Sequence, residues 1–556
     1  MSVTASLQAQ CTDWARGGGG LDSDGFPAGV ETVNGKVYFT GAFAGSATFD
    51  GQSLNSGTYS QGLFLNEYDQ NGNLVWAKTI AEGLGFFSFK PVVESGGFLY
   101  LLGGAASVKI GQDSLIDRNL FIVKLDTAGN VIWNRIYGPS QTTGYFSAAV
   151  PDGNGGLFFC GRTRGTVDFG GTTISTGYSA TLIGQIDGSG SMQWVRSSDP
   201  TGGANTSRGN DIALSPNGHL IVTGFYTDTL RFGAQYVNDL GFAQTFKIGI
   251  WLGAFDQSGN CLWLKNQSTT NYSTTMGGFD CAYGVVADAS DNIYVTGAVS
   301  DSTDLFGMPL VAQASEPFLA KLDANGNLLW LQRLETVGDP TPYGMGAGTS
   351  VSLDANQNPY MTGWVNDTFL LAASTYPLAE WANFFATSFD QSGNPQAVMV
   401  LPGGGLYEQS YDADMDVDGN LVVGGSFSSK TLPLFPGSSV TNASTSPTDT
   451  INDAVVFKLC NSTIFTSAPK PVLAGIKVFP NPNSGEFFIQ VDDLQGGGEL
   501  IITDMQGRNV HSQSLSGAAG VETIHAAHLS PGLYAWRVLS VGGALIIGQG
   551  KFTLSR

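Results

Sequence analysis

Residues 69–76 read DQNGNLVW, and the phrase returns as DTAGNVIW (Asp126–Trp133), DGSGSMQW (Asp187–Trp194), DQSGNCLW (Asp256–Trp263) and DANGNLLW (Asp323–Trp330). A sixth copy, DQSGNPQA (Asp390–Ala397), keeps the Asp and the Gly but has no Trp. Successive Asp residues lie 57, 61, 69, 67 and 67 positions apart, and Trp follows Asp by seven. Self-similarity at such a period marks a repeat architecture. The D-x-x-G-N core suits a tight turn between antiparallel strands, because Gly and Asn accept left-handed backbone geometry.

A second unit precedes each of these: a turn and then an apolar strand that ends in Gly. It reads NGKVYFTG (to Gly41), GGFLYLLG (Gly103), GGLFFCG (Gly161), NGHLIVTG (Gly224), DNIYVTG (Gly297), QNPYMTG (Gly363) and GNLVVGG (Gly425), seven copies in all. Their β-branched and aromatic content is that of buried strands. Each repeat therefore predicts four antiparallel strands. Strand a enters the first turn, b ends in Gly, c ends at the Asp and d carries the Trp. Four strands in roughly 65 residues make a slightly long propeller blade.

The seventh repeat stops early, at AVVFKLC, with Cys460 where the other copies have their Asp. Near the N-terminus Cys11-Thr-Asp-Trp14-Ala-Arg16 has the form of a strand d without a repeat of its own. The fold expected is thus all-β: a seven-bladed propeller over residues 11–460, with the N-terminal strand closing blade seven and removing the open edges of an unclosed array. In that register Cys11 and Cys460 face each other where the turn has been severed, within the separation a disulfide tolerates. A Cys11–Cys460 bridge is expected, and it implies an oxidising compartment. Cys261 and Cys281 sit a strand length apart, which disfavours a second bridge. Cys160, inside a strand b, is expected as a buried thiol.

The formal charge is −21, from 46 acidic and 25 basic residues. Nucleic acid requires clustered Lys and Arg, which this chain lacks. No apolar run is long enough to span a membrane. Residues 1–10 have the look of the remnant of a signal peptide.

A Ser/Thr/Pro-rich linker (461–474) leads into short alternating strands over 475–556, a pattern of a small, immunoglobulin-like β-sandwich. Phe479-Pro480-Asn481-Pro482 with Gly485, Asp504-x-x-Gly507, and Leu529-x-x-Gly532-x-Tyr534 resemble the type A C-terminal sorting domain of the type IX secretion system of Bacteroidetes. The resemblance implies a partner, the type IX machinery, and a secreted or cell-surface location on the exterior of the outer membrane. It also implies cleavage near Ser467 to Gly475, followed by anchoring. The front repeats resemble the β-propeller repeats of bacterial surface proteins.

No catalytic constellation is legible. The four histidines are His219, His511, His525 and His528, and only His219 lies among the repeats. His525-x-x-His528 offers two metal donors without a third, so no metal site is assigned. The repeat Asp residues are expected to cap turns and the Trp residues to pack between blades. No cofactor is expected. Calcium is the one ion these acidic turns suggest, though each offers only one or two carboxylates.

Alternating strand direction places the a–b and c–d turns on one face, and the b–c and d–a connections on the other. The second set looks long and variable, as in Ala42–Gly62, Phe225–Ile250 and Ser426–Thr450, and variable loops on a rigid frame are the place for recognition. There Phe87, Tyr145, Arg208, Tyr272, Asp280, Tyr343 and Tyr411 are candidates to contact a glycan or protein. The leading reading is a secreted or surface-displayed binding protein. The alternative is a carbohydrate-active hydrolase or lyase on the same scaffold. Reduction of the Cys11–Cys460 bridge is expected to lower the thermal transition, by up to about 4–5 kcal/mol on chain-entropy grounds; a peptide map with both thiols free contradicts it.

Overall fold

The computed structural model describes residues 13–460 and 477–555 apart from 21–28, 94–95, 139–143, 200–205, 228, 239–247, 272–279, 301, 313, 338–345, 367, 372–373, 377–382, 402–407, 436–437, 444–451, 480–485, 492–497, 504–508, 516–519 and 541–545. Two compact units are distinguished. The first is Met1–Glu335 with Thr341–Asp367 and Leu378–Ser467; the second is Ala468–Arg556 with Thr336–Pro340 and Thr368–Pro377. Among the described residues there is no helix, and the strands pair antiparallel throughout.

In the first unit the repeats form four-stranded arrangements in a-b-c-d order. The first uses Gly29–Val33, Lys36–Ala44, Gln61–Asp69 and the front of the long strand Leu74–Val93, whose rear half opens the second with Leu99–Ile110, Asp113–Leu125 and Val131–Tyr137. The third is Tyr145–Pro151, Leu157–Asp168, Thr173–Ile186 and Met192–Ser197; the fourth is Ser207–Leu214, Leu220–Tyr226, Gly249–Phe255 and Cys261–Asn271. The fifth is Cys281–Ala287, Ile293–Val299, Glu316–Leu322 and Leu328–Arg333; the sixth is Gly346–Leu353, Pro359–Val365, Asn383–Phe389 and Pro395–Leu401. The last joins Gln409–Met415, Leu421–Phe427 and Asp453–Leu459 to Trp14–Gly19, whose Trp14 stands opposite Lys458. Strand c is buried on both sides in Gly249–Phe255, Glu316–Leu322 and Asp453–Leu459. That is why these strands read as continuous apolar runs rather than alternations.

The D-x-x-G-N turn is a hydrogen-bonded unit. Asp69 Oδ1 accepts the N–H groups of Asn71 and Asn73 at 2.9 and 2.8 Å, while Asn73 Nδ2 donates to Asp69 Oδ2 at 2.8 Å. The turns at Asp126, Asp256, Asp323 and Asp390 repeat it. The same turn also joins a to b at Asp288, Asp354 and Asp416. Hydrogen bonds from Asn130 hold the Asp126 carboxyl below its ordinary range.

The Gly of each turn has a second role. It takes φ near +80° at Gly72, Gly129, Gly259, Gly326 and Gly393, and the Trp of the preceding repeat lies against it. A Cβ on Gly72 would meet the Trp14 ring at 2.5 Å, one on Gly259 the Trp194 ring at 2.5 Å, and one on Gly393 the Trp330 ring at 2.7 Å. The indole N–H groups of Trp14, Trp133, Trp263 and Trp330 donate to the carbonyls of Gln70, Gly188, Ala324 and Gln391, each one residue after the next repeat's Asp. At the sixth-to-seventh junction Ala397 replaces the Trp and Cys460 the Asp, so both partners are missing together. There the rings of Phe384 and Phe457 meet edge-on at 5.7 Å. Cys460 is buried and its N–H donates to Asp13 Oδ1 at 2.6 Å, whereas Cys11 lies outside the described residues. Cys160, Cys261 and Cys281 are free thiols.

The b–c connections depart from expectation. They are hairpins on a common plan: Ser46–Phe49 with Gln52–Asn55, Thr229–Phe232 with Gln235–Asn238, Ser302–Leu305 with Met308–Val311, and Thr431–Phe435 with Ser438–Thr441. In the second and third repeats they are extensions of b and c themselves. A faint phrase underlies them: TFDGQSL, DFGGTTI, RFGAQYV and LFGMPLV. Its Phe49, Phe169, Phe232 and Phe306 are buried. Several hairpins pair with the preceding strand d, as Ser302–Leu305 does with Gln267–Asn271 and Phe49 with Gly18, covering an edge that would otherwise be open.

The second unit has a three-stranded sheet (Lys477–Phe479, Glu486–Val491, Gly520–His525) and a four-stranded one (Asn509–Leu515, Gly498–Thr503, Gly532–Ser540, Ile546–Leu554). Alternate residues Phe487, Ile489, Leu500, Ile502, Trp536 and Val538 share one core with Phe552.

Gly259 and Gly170 have φ of +80° and +84°, but only at Gly259 would a Cβ meet a ring. Gly259→Ala is therefore expected to destabilise by about 1–3 kcal/mol more than Gly170→Ala. Equal shifts in denaturant midpoint would show that the Trp194 contact does not matter.

Candidate functional site

Each strand a after the first carries an irregularity at one place, between Phe87/Phe89, Phe146/Ala148, Gly209/Asp211, Ala282/Gly284, Gly348/Ser350 and Ser410/Asp412. The extra residue of a β-bulge bends the strand and re-aims the side chains beyond it. The bulge also accounts for the Gly that ends strand b. A Cβ on Gly161, Gly224, Gly297 or Gly363 would lie 1.9–2.2 Å from a strand-a carbonyl oxygen, so no other residue fits.

The a strands pack one against the next in chain order, and Gln409–Met415 packs on Gly29–Val33. Residues from all seven line one cavity of about 470 Å³, among them Glu31, Lys90, Asp211, Ser350, Asp412 and Asp414. Its lining extends to Ala287, Leu353, Gln357 and Met415, at the ends nearest the a–b turns. Lys90 Nζ lies 3.1 Å from Asp412 and 3.6 Å from Asp211, tying the second, fourth and seventh repeats together. Each carboxylate also accepts a backbone N–H of the following repeat: Asp211 from Val285 at 2.9 Å, and Asp412 from Val30 at 3.1 Å. Asp414 takes the N–H and hydroxyl of Thr32 at 2.7 and 2.8 Å. Burial pushes the Asp412 carboxyl up to about 6, against the pull of Lys90. Burial acts to lower the Lys90 ammonium, but Asp211 and Asp412 outweigh it and hold it above its ordinary value. Sequence reasoning missed this group. Its members are single charges in unremarkable strands, 121 and 201 residues apart.

The expected ligand residues fall differently. Tyr145 and Arg208 come together: the Arg208 guanidinium lies 4.9 Å from the Tyr145 ring centre, and Arg162 lies 4.8 Å from the same ring. Tyr145 is buried, however, and not an exposed stacking platform. Asp280 is fully buried, accepting from Gln267 Nε2 at 2.5 Å and from the N–H and hydroxyl of Ser300 at 2.6 and 2.7 Å. That network turns it inward, because a buried carboxylate needs its oxygens satisfied. Tyr411 is a half-buried bulge residue donating to Gln409 Oε1 at 3.0 Å. The Phe87 side chain, Tyr272 and Tyr343 lie outside the described residues.

Among the described residues no group of three His, Cys, Asp or Glu is placed to hold a metal ion. The turn carboxylates that suggested calcium accept their own turn's N–H groups instead. In the second unit the rings of His511 and His528 lie 5.3 Å apart. Of the sorting-motif residues, Gly532 and Tyr534 are described. The Tyr534 hydroxyl donates to the Ser530 carbonyl at 2.7 Å and its ring stacks on Phe552 at 5.6 Å. Pro480, Asn481, Pro482, Gly485, Asp504 and Gly507 lie outside the described residues.

A family model described as a secretion system C-terminal sorting domain matches residues 477–546. The match supports sorting by the type IX secretion system of Bacteroidetes, and the protein is secreted or displayed at the cell surface. No curated protein matches the chain. Among solved structures, a protein of unknown function from Bacteroides caccae is similar at 10% identity, covering 62% of this chain and 94% of that one, with a TM-score of 0.25. An acylaminoacyl peptidase from Pyrococcus horikoshii is similar at 10% identity over 84% and 58%, with a TM-score of 0.34. The extracellular domain of a hybrid two-component system from B. thetaiotaomicron is similar at 9% identity over 96% and 97%, with a TM-score of 0.17. At these scores none of the three likenesses carries an argument. No helix of the described residues is long and apolar enough to cross a membrane.

With its carboxyl at about 6 rather than 3.8, Asp412 binds more protons in the folded state than unfolded across that window. Its contribution to stability therefore falls as pH rises through it. Lys90→Gln leaves Asp211 and Asp412 without their cation and is expected to cost about 3–5 kcal/mol at pH 7, with partial recovery at pH 5 as Asp412 takes up a proton. An unchanged thermal transition at pH 7 contradicts the clamp.

Proposed function

We propose that this protein is a secreted or surface-displayed binding protein. Residues 11–460 form a seven-bladed β-propeller closed by the Cys11–Cys460 disulfide. Residues 475–556, after a linker at 461–474, form the immunoglobulin-like domain read by the type IX machinery. The propeller recognises a glycan or protein through the face that carries the b–c and d–a connections. The observation that carries this reading is the cluster of Tyr145, Arg162, Arg208 and Phe225, at the d–a and b–c ends of neighbouring repeats. Arg162, Arg208 and Phe225 are half-buried over the buried Tyr145 ring, and are large side chains suited to recognition.

A second reading, a carbohydrate-active hydrolase or lyase, has one observation in its favour. Asp211, Asp412 and Asp414 converge on the cavity, and Asp412 titrates near the range of a general acid. Against it, both Asp211 and Asp412 already hold Lys90 and a backbone N–H.

A glycan and polysaccharide array scored for both retention and product release separates the two. Retention without new reducing ends is expected. Reducing ends that appear with the native chain and vanish in Asp412→Asn would establish the enzyme instead.

A further inference from the structure

The Tyr145–Arg162 and Arg208–Phe225 pairs occupy one structural position in two neighbouring repeats. Tyr145 stands opposite Arg162, one step beyond the Phe146–Gly161 pair, and Arg208 stands opposite Phe225, one step beyond Gly209–Gly224. In the fifth, sixth and seventh repeats that level holds Cys281–Ala298, Ala347–Trp364 and Gln409–Ser426. The repeat therefore needs no cation there, and of these five repeats only the third and fourth have one. Both guanidinium groups lie within 5 Å of the centre of the one Tyr145 ring, and Arg208 is also 6.0 Å from that of Phe225.

Two cations share a half-buried place in a chain of net charge −21, yet among the described residues no carboxylate lies within ion-pair distance of either. The nearby Asp280 has its oxygens engaged by Gln267 and Ser300. The Nε atoms of Arg162 and Arg208 are both buried and lack a hydrogen-bond partner. A buried donor without an acceptor is costly. An oxyanion held by these guanidinium groups relieves the unmet donors, through the fork geometry by which Arg holds carboxylates and sulfates.

We infer that Arg162 and Arg208, backed by Tyr145, form a subsite for an oxyanion, the carboxylate or sulfate of an acidic sugar within an otherwise weakly charged glycan. The inference rests on the binding reading above. A densely charged polyanion such as an acidic peptide is disfavoured by the chain's own negative field, whereas one anionic group reaching a local pair of cations is screened from that field within about 8 Å at physiological salt.

Affinity electrophoresis of the full chain tests this, in gels containing highly methyl-esterified pectin (sparse free carboxylates), lightly sulfated dextran, carboxyl-reduced pectin or polyglutamate. Retention by the sparsely charged pectin or the lightly sulfated dextran is expected, the two gels separating carboxylate from sulfate. It should weaken with salt, and free galacturonate or sulfate should release the protein where galactose does not. Arg208→Gln and Arg162→Gln should each weaken retention about tenfold or more, while Arg231→Gln, beside Tyr236 on a b–c hairpin, should not. The competition by free sugar uses the native chain, so it stands even if a variant fails to fold. Retention unchanged in both Arg variants overturns the subsite. So does equal retention by the carboxyl-reduced polymer, or retention by neutral glycans or polyglutamate alone. If neutral glycans are held and acidic ones are not, the subsite fails and the binding reading stands. If no glycan is held at all, a glycan ligand fails with it.

Discussion

The contact between the Trp of one repeat and the Gly of the next repeat's Asp turn is the constraint on which the first unit depends. The Asp orders its own turn by accepting two N–H groups, and that turn requires a positive φ at the Gly. The absent Cβ then leaves a flat surface that an indole can cover, and at Trp14, Trp133, Trp263 and Trp330 its N–H finds the carbonyl beside the Asp. A local requirement and a long-range one thus fall on the same residue. This explains why Asp, Gly and Trp travel together through the sequence. It explains also why Ala397 and Cys460 mark the same junction: once the turn is gone there is nothing for a Trp to cover.

The second recurrent Gly obeys the same logic on a different strand. The bulge in strand a thrusts a carbonyl toward strand b, and only a residue without a side chain leaves room. The bulge in turn re-aims the residue beyond it, which is how Asp211 and Asp412 come to line the cavity with Lys90. A charge cluster of this kind is held by geometry more than by net attraction. Buried ion pairs stabilise little relative to apolar packing, but removing one partner is costly.

Much of the architecture was legible because the repeat writes it down several times. Four strands per repeat, their order and the completion of the last sheet by Trp14–Gly19 all derive from positions that recur. The b–c hairpins are harder to read because only an apolar residue, a Phe and a Gly recur in them. In the second and third repeats they merge into longer strands. The site was less legible still. Tyr145 and Arg208 stand out in the sequence and do meet, yet Arg162, which completes the cluster, lies one residue past a repeat Gly and carries no signal of its own. Asp280 reads as a ligand contact but turns inward, because Ser300 and Gln267 satisfy it there.

By itself the sequence determined the period, the strand count, the turns and the C-terminal sorting domain. Each of these rests on short motifs whose own residues lie within a few positions of one another, where backbone chemistry decides, and on their recurrence or order along the chain. Only the tertiary structure decided which charges meet. Lys90, Asp211 and Asp412 stand far apart in the chain and are brought together by the packing of successive a strands. Arg162 and Arg208 likewise converge on Tyr145 from two repeats. A side chain's neighbours across a sheet junction depend on bulge and register, and a shift of one residue would turn it to the opposite face.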